Sequence, residues 1–84
     1  METLEYNVTY QNNNYIIDTI QTEDEYVIAI IHTEGPDNSR STYIGIAKFW
    51  LVHDRYNITV LDGEEETFDI VELLINRIIE GWLY

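Results

Sequence analysis

The chain has 84 residues and no cysteine, is 45% hydrophobic, and carries a formal net charge of -12 from 16 acids against four bases, Arg40, Lys48, Arg55 and Arg77. This length and apolar content describe a single acidic domain over residues 1–84 rather than a disordered tail, and the missing thiols exclude a disulfide framework, a thiolate zinc site and a cysteine nucleophile. So lopsided a charge disfavours direct binding to nucleic acid or to an anionic membrane surface and favours a basic protein surface as partner.

Residues 1–5 carry acids where a secretory signal carries bases, and no apolar run is long enough to cross a bilayer, so a soluble cytoplasmic protein is expected. Leu4, Tyr6, Val8 and Tyr10 alternate with Glu5, Asn7 and Thr9, the period-two pattern of a half-buried strand. Asn12, Asn13 and Asn14 read as a hairpin turn into a second strand over residues 15–20, because asparagine tolerates left-handed backbone. After a polar break at residues 21–25, the run Tyr26-Val27-Ile28-Ala29-Ile30-Ile31 is continuously apolar and predicts a central strand covered on both faces.

Residues 34–41 hold the only proline and no apolar side chain, which predicts the longest exposed loop. In residues 42–52, Tyr43, Ile46, Ala47 and Trp50 fit helical spacing, while the Thr, Tyr, Ile, Phe, Trp and Val content favours a strand. The strand is preferred, with Gly45 serving as a bulge or close backbone contact. Asp54 and Arg55 mark a turn, and Tyr56, Ile58 and Val60 alternate through a fifth strand toward Asp62-Gly63.

From Thr67 the period changes: Ile70, Leu74, Ile78 and Trp82 recur every four residues beside Val71, Ile75 and Ile79, the broad apolar stripe of an amphipathic helix. Thr67 stands as its cap, and Glu64, Glu65, Glu66 and Asp69 complement the positive end of the helix dipole. Trp82 is expected to close the core, with Leu83 and Tyr84 extending an apolar tail. The resulting fold class is α+β, about five mainly antiparallel strands with one C-terminal helix packed on one face.

Chemistry is sparse. His32 and His53 stand at strand ends, and His53-Asp54-Arg55 sets an imidazole beside a carboxylate, but no serine or threonine occupies a nucleophile elbow. The histidine spacing fits no metal motif, the Asp62-Gly63-Glu64-Glu65-Glu66 run is explained as a turn and an acidic first helical turn, and no glycine pattern cradles phosphate. The expectation is therefore a non-enzyme with no metal and no cofactor. The sequons at Asn7 and Asn57 carry no weight without a secretion signal.

What remains are three groups of acids as candidate partner contacts: Glu23, Asp24 and Glu25; Glu34 and Asp37; and Glu64, Glu65, Glu66, Asp69 and Glu72. Glu65, Asp69 and Glu72 share a helix face, where like charges repel unless something offsets them. The reading is a binding protein that inhibits or sequesters a basic nuclease or other nucleic-acid-binding protein, its carboxylates standing in for phosphates and Tyr43 or Trp82 serving as aromatic anchors. In size, charge and expected strand content the chain resembles small acidic phage-encoded inhibitors, among them anti-CRISPR proteins and the DNA-mimicking uracil-DNA glycosylase inhibitor. The resemblance spans no aligned motif; it implies an anti-defence role and assigns no residue. The alternative is an assembly module, a homodimer joined through the aromatic C-terminus or a strand edge, with the acids serving solubility.

Overall fold

A computed structural model describes residues 3–82. Five strands, β1 (Thr3–Tyr10), β2 (Asn13–Gln21), β3 (Val27–Glu34), β4 (Arg40–Val52) and β5 (Arg55–Gly63), form one sheet in the order β1-β2-β3-β4-β5, followed by helix α1 (Glu65–Trp82). Every neighbouring pair is antiparallel, so the sheet is a plain meander. The α+β expectation holds, and residues 42–52 belong to strand β4.

Local chemistry explains the connections. The first turn is Gln11-Asn12, both in left-handed backbone at φ 49 and 65, and Asn13 and Asn14 already belong to β2. Two consecutive left-handed residues match the twist of a two-residue hairpin, so the turn sits one position earlier than the asparagine run suggests. Likewise the β4–β5 turn is His53-Asp54, with His53 at φ 59, and Arg55 opens β5. The expected long loop shrinks to residues 35–39, folded around a 3₁₀ turn at Pro36–Asn38 and closed by a bond from the Gly35 amide to the Ser39 carbonyl. Glu34 and Arg40 are paired across the β3–β4 ladder, so charged residues that read as loop are strand ends.

The helix lies on one face of the sheet. Val8, Tyr15, Ile17, Ala29, Ile31, Ala47 and Phe49 meet Ile70, Val71, Leu74 and Ile75 in the core, all buried. The small side chains of Ala29 and Ala47, paired at the sheet centre, leave room for the helix.

Thr67 is not the cap. The helix begins at Glu65, the Thr67 amide bonds back to the Glu64 carbonyl, and the Thr67 side chain is fully buried against the sheet. It nests on two glycines: a Cβ on Gly45 would stand 2.4 Å from Thr67 Oγ1, and one on Gly63 2.5 Å from it. Gly45 thus provides the close backbone contact expected of it, next to a ladder shift between Ile31 and His32. Gly63, at φ 114, also turns the chain from β5 into the helix.

A second correction concerns β3. Its run of apolar residues predicts cover on both faces, but among the described residues no element packs on the face opposite the helix. By register that face carries Ile16, Ile20, Ile28, Ile30, Ile46 and Trp50. The tail residues Leu83 and Tyr84 and the side chain of Trp82 lie outside what is described.

Candidate functional site

Strand direction decides where the ten candidate acids fall. One end of the sheet gathers the β1–β2 turn, the β3–β4 connection and the β5–α1 junction; the other gathers the β2–β3 connection and the β4–β5 turn. Glu34, Asp37, Glu64, Glu65 and Glu66 therefore share one end, with Asp69 in the adjoining helical turn. Glu23, Asp24 and Glu25 stand at the other end beside Asp54. An eight-residue strand spans about 27 Å, so the candidates make two groups and not one surface.

Exposure differs within these groups. Glu23, Asp24, Glu25, Asp37, Glu64 and Glu65 are exposed, while Glu34, Glu66, Asp69 and Glu72 are half-buried. Asp69 and Glu72 have structural work. The Tyr10 hydroxyl, from edge strand β1, donates to Asp69 at 2.9 Å, and the Tyr56 hydroxyl, from edge strand β5, donates to Glu72 at 2.9 Å. The helix is thus tied to both edges of the sheet. The bond to the carboxylate is the main reason each phenol is held above its ordinary pKa, with desolvation adding to it. These donors also answer the repulsion expected along the acidic helix face, because each spreads a carboxylate's charge into a hydrogen bond. Arg77, on the helix, donates to the carbonyl of Asn7 and covers part of the β1 edge.

The opposite face of the sheet was not legible as a site. Arg40 on β4 reaches past β3 to Asp18 on β2 with two bonds at 2.7 and 2.6 Å, and to Glu5 on β1 at 2.5 Å. The Arg40 bond holds the Asp18 carboxyl below its ordinary value against the opposing effect of burial, and the two carboxylates raise the guanidinium in turn. The Tyr43 hydroxyl donates to Asp62 at 2.6 Å, which is the first cause of its raised pKa. Lys48 places its ammonium 4.9 Å from the Tyr26 ring centre, a cation–π contact. By register this face holds four acids, Glu5, Asp18, Glu34 and Asp62, and three bases, Arg40, Lys48 and Arg55. Elsewhere among the described residues stand eleven acids and one base, Arg77.

No catalytic arrangement emerges from the histidines. His32 sits on the open face with its ring edge-on to Tyr43 at a centroid distance of 5.7 Å, and its Nδ1 is buried without a partner. An imidazole working as a base needs that nitrogen oriented by an acceptor. His53 is exposed in its turn at the opposite end of the sheet. Among the described residues no group of three or more His, Asp or Glu is placed to hold a metal, and no helix is long and apolar enough to cross a membrane. A groove of about 390 Å³ opens where β1 starts, between Leu4, Tyr6, Val27, Phe49, Leu51 and Ile78.

Comparison with protein families, with curated proteins and with solved structures finds no match to this chain.

Proposed function

We propose that the chain is a non-catalytic binding protein that inhibits or sequesters a basic nucleic-acid-processing protein. The observation that carries this reading is the uneven placement of charge. Outside the open sheet face, among the described residues, eleven acids meet a single base, and Glu64 and Glu65 are exposed at the helix start, at the same end of the sheet as the exposed Asp37. Carboxylates mounted on a helix end and a short closed loop are held in place, so they can present fixed negative charge to arginines and lysines that otherwise bind phosphates. Such a partner is met in the cytoplasm, and an anti-defence inhibitor is the setting that the resemblance to small acidic phage proteins suggests. Steering by this charge gives fast association that weakens steeply with salt.

The test is affinity capture from nucleic-acid-depleted lysate at low and high salt, with a Glu64→Gln, Glu65→Gln, Glu66→Gln triple variant alongside. The reading expects a basic nuclease or DNA-binding protein that is released by salt, lost in the variant and displaced by duplex DNA. Capture that ignores all three manipulations contradicts it.

A further inference from the structure

We infer that the open face of the sheet is the interface for a second copy of this chain. A sheet needs cover on any face it fills with apolar side chains, and here the helix supplies one layer only. The uncovered face carries an apolar strip: Ile20, Ile28, Ile30, Ile46 and Trp50 are half-buried by their neighbours alone, Val52 at one corner is 52% exposed, and only Ile16 among the apolar residues of this face is already buried, at 1%. Alternating strands that face water on one side put polar residues there, as this face does at Glu5, Asp18, Lys48 and Asp62, but the isoleucines and Trp50 between them leave an apolar strip that association buries.

Charge identifies the occupant. A basic partner would meet three of the chain's four bases on this face, Arg40, Lys48 and Arg55, and is drawn to the other side of the molecule. A second copy brings the same near-balanced mixture of four acids and three bases, with Arg40 already paired to Asp18 and Glu5 in each chain, so two like faces meet without strong net repulsion. Stacking face to face also points the helices, and the acids at their starts, away from each other. The two copies then meet where their charge nearly cancels.

Size sets the strength. Five strands about 4.8 Å apart, each offering about six residues at roughly 3.4 Å, give a face roughly 20 Å on a side. Two such faces bury about 800 Å² in total, below the roughly 1,200 Å² at which stable specific interfaces begin, so the dimer is expected to be weak and to depend on concentration. Because the copies are like-charged overall, moderate salt should tighten the pair, the reverse of the salt dependence expected for a basic partner.

Sedimentation equilibrium of the full chain over a wide concentration range tests this. The expected result is a 10.0 kDa species passing to twice that mass, with the transition moving to lower concentration as salt rises. Ile46→Lys should raise the dissociation constant about tenfold or more, even though it lowers the net charge and so weakens repulsion. Trp50→Gln should act in the same direction, and reads the same face if Ile46→Lys fails to fold. Leu73→Lys, on the exposed side of the helix, should leave the dimer unchanged. A strict monomer at the highest concentration, or a dimer that survives both sheet variants, overturns the inference, as does a dimer lost in Leu73→Lys.

Discussion

The two faces of the sheet are built from the same kinds of residue and reach opposite ends. Under the helix, Ile17, Ile31 and Phe49 are at most 2% exposed, and small residues at Ala29, Gly45 and Ala47 let the helix backbone close in. On the other face, Ile30 and Ile46 remain half-exposed between the Arg40–Asp18–Glu5 ion cluster and the Lys48–Tyr26 contact. Burial under the helix stabilises the fold, whereas apolar area on the open face is stabilised only when something covers it. The difference separates residues that hold the domain together from those available for association.

The largest effects should come from closing the space under the helix. Gly45→Val would set a Cβ 2.4 Å from Thr67 Oγ1 and 2.6 Å from the Asp62 carbonyl, and should cost about 3 kcal/mol or more in urea unfolding. Leu74→Ala, which empties core space, should cost about 2–5 kcal/mol. By contrast Ile30→Thr on the open face, measured at a concentration where the chain is monomeric, should cost about 1 kcal/mol or less. Equal losses at Leu74 and Ile30 would show that both faces are equally packed within one chain.

Smaller effects sharpen the comparison through pH and salt. Tyr10 and Tyr56 are held above their ordinary pKa in the folded state, so their contribution is complete below about pH 10 and is lost as pH rises through the folded values. Tyr10→Phe with Tyr56→Phe should lower the melting temperature near neutral pH and flatten its fall in alkali. Asp18 has the opposite sign: its folded pKa is depressed, so its contribution is present above its ordinary value near 3.8 and fades as pH falls below that value. Arg40→Met should remove this acid-side dependence. Finally, the melting temperature should rise modestly from low to moderate salt, because screening weakens the repulsion of the acid excess; a fall would mean that ion pairs such as Arg40–Asp18 dominate.

The helix was legible because a four-residue apolar repeat running from Ile70 to Ile78 admits no strand reading. The strands were legible from alternation, even at residues 42–52, where helical spacing competed with β-branched and aromatic content. What escaped depended on pairing across the chain. Nothing near Thr67 shows that two glycines lie beneath it, and the acids next to it suggested a cap where the structure has a buried contact. Strand alternation sorts Glu5, Asp18, Lys48 and Trp50 to one side of their strands, but only the register sets them on one face. The acids divided in the same way: clusters in sequence became two ends of a sheet, and Asp69 and Glu72 became partners of tyrosines 59 and 16 residues away.

The most direct measurement compares two variants for binding to a captured basic partner: the Glu64, Glu65, Glu66 to Gln triple and Ile46→Lys on the open face. Division of labour between the two sides predicts that the triple variant loses the partner while Ile46→Lys, compared as a folded monomer, keeps it. Loss on Ile46→Lys with full binding by the triple would place partner recognition on the open sheet face and contradict the account.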